Sequence, residues 1–102
     1  MNKAVLYLRS QKENYYHVLI NAMEGWENFE ELVKFLKENY NAFLLESVDG
    51  PDARRWIFKI DGHKIDLSYD DVYGNYLKAY DFEGEKLITR IGEDLEERLK
   101  NI

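Results

Sequence analysis

Apolar and polar residues alternate in several short segments of the chain, which is typical of strands with one buried face. The segments 55–60 and 63–69 flank Asp61-Gly62, and this pattern predicts a hairpin with a two-residue type I′ turn. In that register Phe58 lies opposite Ile65, so the large apolar side chains share one face. The other face is expected to be mostly solvated and carries Arg55, Ile57, Lys59, Lys64, Asp66 and Ser68.

Further strands are predicted on both sides of this hairpin. Residues 4–9 and 15–21 mix aromatic and aliphatic side chains and indicate an N-terminal hairpin. Residues 42–48 and 75–82 have the same character, so four consecutive strands after residue 42 predict an antiparallel meander.

Residues 10–24 also allow a helix. Ser10 and Glu13 have the spacing of a capping box. Tyr15, Leu19 and Ala22 would then fall on one helical face. The local pattern leaves both interpretations open.

Two amphipathic helices are predicted with fewer alternatives. The first extends from Phe29 to Asn39, with Asn28 as its N-cap, and the second extends from Glu85 to Asn101. The apolar stripe of the second helix is Ile88, Ile91, Leu95, Leu99 and Ile102. The element order ββαββββα predicts a single α+β domain over residues 1–102, in which both helices cover one face of a mainly antiparallel sheet of about six strands.

Composition narrows the functional classes. The 102 residues carry a net charge of −6 and include no cysteine, which excludes disulfides, thiolate metal sites and a cysteine nucleophile. An acidic chain is a poor candidate for binding a nucleic acid backbone. No apolar run reaches the length of a membrane-spanning helix, so a cytoplasmic protein without a membrane partner is expected.

Catalytic and ligand-binding motifs are incomplete. His17 and His63 fall on different predicted strands, and neither belongs to a zinc-binding spacing. The glycines are scattered rather than grouped in a phosphate-binding loop. The oxygen-bearing run that starts at Asp66 places Asp71 where a calcium loop needs glycine and Leu77 where it needs glutamate. We therefore expect no enzyme activity, no metal site and no cofactor.

The unusual feature is a concentration of acids among tyrosines. Between Ile60 and Glu85 there are seven acids and two bases. Tyrosine offers a rigid contact surface with a polar tip, and neighbouring carboxylates attract a cationic partner. The residues predicted to bind a protein partner are Asp66, Asp70, Asp71, Tyr73 and Tyr76. An ordinary solvated acidic sheet remains the alternative interpretation.

Two stretches carry a family resemblance. Gly25-Trp26-Glu27-Asn28-Phe29-Glu30-Glu31-Leu32 and the run from Asp66 to Leu77 resemble small bacterial immunity proteins of the contact-dependent growth inhibition type. The resemblance implies a protein that binds a cognate toxin domain, often a nuclease, and neutralises it inside the producing cell. It brings no catalytic residue with it.

A second hypothesis is a small-molecule-binding or regulatory α+β domain whose ligand lies between the sheet and the helices. An enzyme is a third hypothesis, which the absence of a convergent acid, base or nucleophile in the sequence disfavours.

Overall fold

The computed structural model describes residues 6–9 and 16–100, and its elements follow the predicted order ββαββββα. A short 3-10 helix, Asn21–Met23, lies between the second strand and the first helix. The elements are β1 (Leu6–Arg9), β2 (Tyr16–Leu19), α1 (Asn28–Tyr40), β3 (Phe43–Asp49), β4 (Arg54–Ile60), β5 (His63–Asp70), β6 (Gly74–Ala79) and α2 (Phe82–Lys100). The predicted α+β class is confirmed.

One six-stranded antiparallel sheet joins all these strands in the order β1-β2-β6-β5-β4-β3. Strands β3 to β6 form the predicted meander. The N-terminal hairpin pairs through β2 with β6, so the helical alternative is wrong for Tyr16–Leu19, whereas Asn21–Met23 form the short 3-10 helix. Ser10, Glu13 and Tyr15, which supported that helix, lie outside the described residues.

The β4–β5 hairpin has the predicted turn and register. Asp61 and Gly62 have φ angles of 51° and 80°, as a type I′ turn requires at both central positions. Phe58 pairs with Ile65, and Trp56 pairs with Leu67. The turn chemistry therefore sets which side chains of β4 and β5 reach the core.

The core lies between one face of the sheet and both helices, as predicted. Helix α1 contributes Phe29, Leu32, Val33 and Leu36, and α2 contributes Leu87, Ile88, Ile91 and Leu95. They pack against the apolar side chains of β2, β4, β5 and β6: Val18, Phe58, Ile60, Ile65, Leu67, Leu77 and Ala79. Fully burying one large aliphatic side chain contributes about 1.5–3 kcal/mol, so this layer supplies most of the driving force for folding.

Both helices begin earlier than predicted. Asn28 is the first residue of α1 rather than its cap, and Glu27 occupies the cap position without a side-chain hydrogen bond. Helix α2 begins at Phe82 rather than Glu85 because the Asp81 carboxylate accepts a hydrogen bond from the Gly84 amide at 2.7 Å. A capping aspartate satisfies an amide of the first helical turn. The chain therefore leaves β6 at Ala79 and enters the helix two residues after Tyr80.

Strand β3 forms one edge of the sheet, and β1 forms the other. A register shift between Leu44 and Glu46 places a bulge at Leu45. Bulges and charged residues on an edge strand hinder pairing with another strand. Glu46 and Asp49 supply such charges here. The opposite face of the sheet is not covered by either helix, and it carries most of the predicted binding residues.

Candidate partner-binding surface

The turn between β5 and β6 projects three consecutive side chains from the end of the sheet. One carboxylate oxygen of Asp70 accepts hydrogen bonds from the amides of Val72 and Tyr73, at 2.9 and 2.7 Å. Such contacts are typical of aspartate at the start of a turn. They hold Val72 and Tyr73 outward, with 81% and 53% of their surfaces exposed. Asp71 is exposed between Asp70 and Val72.

The loop before α1 packs against this turn. The buried Asn75 amide donates hydrogen bonds to the carbonyls of Met23 and Gly25, at 2.8 and 2.9 Å. Gly74 has a φ of 71°, and a Cβ at this position would lie 2.8 Å from the Glu24 carbonyl oxygen. Both contacts connect two segments that are some fifty residues apart in sequence.

These contacts form one surface from the two stretches that carry the family resemblance. Trp26 makes an edge contact with Tyr69 at 5.2 Å, and Tyr73 makes one with Tyr76 at 6.2 Å. Because Trp26 is 41% exposed, its ring adds to the outer surface. We define the aromatic–acidic tip as Glu24, Trp26, Glu27, Tyr69, Asp70, Asp71, Val72, Tyr73 and Tyr76.

The electrostatics of the tip are dominated by carboxylates. Burial, followed by the negative charge of Asp71, raises the pKa of Tyr69 above its ordinary value. Glu27 and Asp70 act in the same direction. The carboxylates of the tip therefore create a negative electrostatic potential around it. A basic protein surface that approached the tip would be attracted by this potential at long range.

Arg54 supports the tip from below, and sequence reasoning missed it. Its guanidinium lies 5.2, 4.3 and 5.0 Å from the ring centres of Trp26, Phe29 and Trp56, and only 9% of the residue is exposed. The Asp49 carboxylate accepts its hydrogen bond at 2.9 Å. The alternation of Arg54 with Trp56 and Phe58 was the signal that could have placed this arginine on the helix side.

Tyr76 connects the tip to the uncovered face of the sheet. Its ring is stacked on His17, with centroids 5.6 Å apart. Burial, together with the carboxylates of Asp70 and Asp66, raises the pKa of Tyr76 to about 12. A tyrosine is neutral at physiological pH at either value, so this shift in pKa affects the protein only in alkaline solution.

Asp66 and Ser68 correct the prediction of a mostly solvated face. Asp66 is 0% exposed, and Ser68 and Ile57 are also buried. The Asp66 carboxylate accepts hydrogen bonds from the Ser68 hydroxyl at 2.5 Å and the Tyr80 hydroxyl at 2.9 Å. The Arg55 guanidinium lies 3.9 Å away. A strand pattern indicates the face on which a side chain lies, but neighbouring side chains on that face determine whether water reaches it.

The predicted binding residues therefore divide into two groups. Asp70, Asp71, Tyr73 and Tyr76 come together at the tip. Asp66 lies beneath the surface and can act on a partner only by positioning its neighbours. Asp70 is also more than a free surface charge, because its carboxylate fixes the turn. Sequence reasoning missed Glu24, Trp26 and Glu27 as members of this surface.

The two histidines lie on different strands of the sheet. His17 pairs with Lys78 in the sheet, whereas His63 pairs with Ile60 beside the hairpin turn. Within residues 6–9 and 16–100, no group of three histidine or carboxylate side chains is placed to hold a metal ion.

In the described part of the chain, neither α1 nor α2 is long and apolar enough to span a membrane.

Comparison with known proteins gave no match: no family model, no curated protein and no solved structure is significantly similar to this chain.

Alkaline unfolding tests the buried environment of Tyr76 and Tyr80, whose hydroxyl groups lie near carboxylates. The pKa of Tyr80 is also raised to about 12, by burial and by Asp66. An unfolded tyrosine ionises near pH 10, so the unfolded state loses its proton first and the stability of the fold decreases between about pH 10 and 12. We expect this decrease to be smaller in Tyr76→Phe and Tyr80→Phe, as measured by urea unfolding at pH 9, 10 and 11. If both variants keep the pH dependence of the wild type, the raised pKa values of Tyr76 and Tyr80 are contradicted.

Proposed function

We propose that this chain is an immunity protein that binds a cognate toxin domain through the aromatic–acidic tip and thereby neutralises it. The observation that carries the proposal is the convergence of three carboxylates, from Glu27, Asp70 and Asp71, around Tyr69, beside the exposed side chains of Trp26 and Tyr73. Acids alone would mainly increase the association rate. Trp26 and Tyr73 add rigid apolar area that a partner can desolvate.

A nuclease-type toxin is the partner class that this surface fits best. A nuclease must present a basic cleft to bind phosphates, and an acidic surface competes for that cleft. The whole chain carries a net charge of −6, so long-range attraction acts in the same direction as the tip. In this proposal the protein acts in the cytoplasm as an inhibitor without catalysis, and it uses no cofactor.

The acidic face of α2 is a weaker candidate surface. Asp94 is bound by Arg98 at 2.8 Å, and Glu97 lies 3.9 Å from Lys100. Bases of the same helix therefore neutralise part of its charge. The tip, as defined, contains four acids and no base, and the Arg54 guanidinium beneath Trp26 is bound by Asp49, which is outside the tip.

The small-molecule hypothesis gains less support from the geometry. It placed a ligand between the sheet and the helices, where side chains such as Phe29, Phe58 and Ile88 pack into one buried cluster. A ligand at this position would have to displace part of the core, which costs several kcal/mol for large side chains.

Co-expression with the toxin domain encoded beside the gene for this chain tests the proposal. We expect restored growth, co-purification of the two proteins, and an association rate that falls about tenfold or more between low and high salt. Cells that the chain does not protect from that toxin would contradict the proposal, as would association that does not depend on salt.

Tyr73 is expected to act as an anchor of the complex. Truncating a central aromatic side chain in an interface costs about 2 kcal/mol or more, which corresponds to roughly 30-fold faster dissociation. Tyr73→Ala should therefore dissociate faster at a nearly unchanged association rate, as measured by surface plasmon resonance. Phe82→Ala is the matched control, because Phe82 is an exposed aromatic residue outside the tip. Equal effects of the two variants would argue against the anchor.

A further inference from the structure

Asn75 on β6 holds the loop that carries Trp26. Its side-chain amide donates hydrogen bonds to the carbonyls of Met23 and Gly25, at 2.8 and 2.9 Å. Gly25 directly precedes Trp26, and its carbonyl also accepts a hydrogen bond from the Asn28 amide at 3.0 Å. One buried side chain therefore fixes the backbone on the N-terminal side of Trp26, where the loop enters α1.

The Asn75 side chain is only partly satisfied in this position. The residue is 0% exposed, and its Oδ1 atom has no hydrogen-bond partner within the described part of the chain. A buried acceptor without a donor costs free energy comparable with what a hydrogen bond contributes. The two hydrogen bonds of the Nδ2 group are therefore offset in part, so the residue contributes geometry to the loop more than stability to the fold.

The Trp26 ring is packed from below and accessible from outside. It meets Tyr69 edge-on, with ring centroids 5.2 Å apart, and the Arg54 guanidinium lies 5.2 Å from its centre. The residue is nevertheless 41% exposed. An aromatic side chain that is ordered before binding loses little entropy when a partner covers it. Trp26 therefore has the properties of a pre-organised contact.

We infer that Asn75 is a positioning residue of the partner-binding surface, which acts by holding Trp26 in place for the partner. This role rests on the proposed function for the identity of the partner, and it adds a buried residue that does not touch the partner. Without the Asn75 amide, the surface would keep its charge and its tryptophan but would have to order Trp26 during binding. The cost would appear as weaker affinity, and only while Trp26 is present.

Fluorescence of the free protein tests the position of Trp26 without a toxin. The chain has two tryptophans, so Trp56→Phe leaves Trp26 as the sole one. In that background Asn75→Ala should raise the rate constant for acrylamide quenching about twofold, because a less restrained loop exposes the ring. Ile88→Val, a small change in the core cluster, is the control and should leave quenching unchanged. Equal quenching in Asn75→Ala and its parent would overturn the inference.

The melting temperature separates a displaced loop from a damaged fold. Asn75→Ala loses two hydrogen bonds together with the unpartnered oxygen, so its melting temperature should decrease by no more than about 8 °C. If this variant does not fold, Asn75→Thr takes its place in both experiments. Threonine is close to asparagine in size and suits a strand, but its hydroxyl has one donor instead of two.

A double-mutant cycle with the toxin domain tests whether Asn75 acts through Trp26. Trp26→Ala should weaken binding about 30-fold, as expected for a central aromatic contact, and Asn75→Ala about tenfold. The double variant should bind no more than about twofold more weakly than Trp26→Ala alone, because the loop then has no ring to position. Effects that multiply to about 300-fold would mean that Asn75 acts independently of Trp26, and they would overturn the inference.

The two proposals can fail separately. A wild-type chain that does not bind the toxin would contradict the proposed function, whereas the quenching of Trp26 would still decide whether Asn75 positions the ring. Toxin binding in which the two effects multiply would support the proposed function and overturn the role of Asn75.

Discussion

Replacing Glu27 and Asp71 together by lysine is expected to lower the affinity for the toxin domain about 100-fold and to abolish protection in cells. Both residues are exposed members of the aromatic–acidic tip, and their carboxylates lie close enough to Tyr69 to raise the pKa of its phenol. Reversing them would place positive charge against a basic partner, and like charges across an interface cost several kcal/mol. Measured association rates should account for most of the loss, because exposed charges act mainly on encounter.

The choice of Glu27 and Asp71 avoids a structural effect at Asp70. Lysine at Asp70 would remove the acceptor for two amides of the β5–β6 turn, so lost binding there could reflect a lost turn. Asp71→Lys should change stability by only about 0.5 kcal/mol, and Glu27→Lys, at the N-terminus of α1, should cost about 0.3–1 kcal/mol through the helix dipole. The melting temperature of the double variant should therefore decrease only modestly.

The double variant Glu93→Lys with Glu97→Lys is the matched control. It changes the net charge of the chain by the same amount, but both positions lie on α2, away from the tip. Retained protection in this control, together with loss in the tip variant, would locate the interface at the tip. The opposite pattern would locate it on α2, and equal losses would show that only total charge matters.

Asp66→Ala is expected to destabilise the fold by about 3 kcal/mol, with no direct contact to a partner involved. The Asp66 carboxylate is fully buried and accepts hydrogen bonds from Ser68 and Tyr80. Hydrogen bonds to a charged group contribute about 1.5–3 kcal/mol each, and removing the acceptor leaves the buried Ser68 hydroxyl without this partner. Urea unfolding at pH 7 measures the loss directly.

Glu46→Ala is the control for this prediction, because Glu46 pairs with Ile57 and lies on the same sheet face but is exposed. It should change stability by less than about 0.5 kcal/mol. A loss in Asp66→Ala of the same small size would mean that the buried network contributes little. Asp66→Asn should give an intermediate loss, because its amide accepts hydrogen bonds with one oxygen instead of two.

Much of the fold could be predicted because the decisive signals are local. Asp61-Gly62 specifies a turn with positive φ, and alternation on either side specifies the register that places Phe58 opposite Ile65. The predicted stripe of α2 identified Ile88, Ile91 and Leu95, which reach the core, but it missed Leu87 and included Leu99, which is outside the core cluster; Ile102 lies outside the described residues. The boundaries were less accurate where a cap was overlooked, as at Asp81, whose carboxylate starts α2 before the predicted residue.

The binding surface was predicted only in part. Asp70, Asp71, Tyr73 and Tyr76 are neighbours in sequence, so a local reading could group them. Trp26 joins them only because Asn75 holds the loop before α1 against the turn, and no local pattern reports that contact.

The sequence by itself determined the element order, the turn of the central hairpin and the helix faces that form the core, because each depends on residues within a few positions of one another. Only the tertiary structure decided that Asp66 is buried, that Arg54 lies under Trp26, and that two distant segments form one acidic, aromatic surface. The physical reason is that burial and electrostatic environment depend on which side chains the sheet order brings together, and that order is set by contacts between strands and helices far apart in the chain.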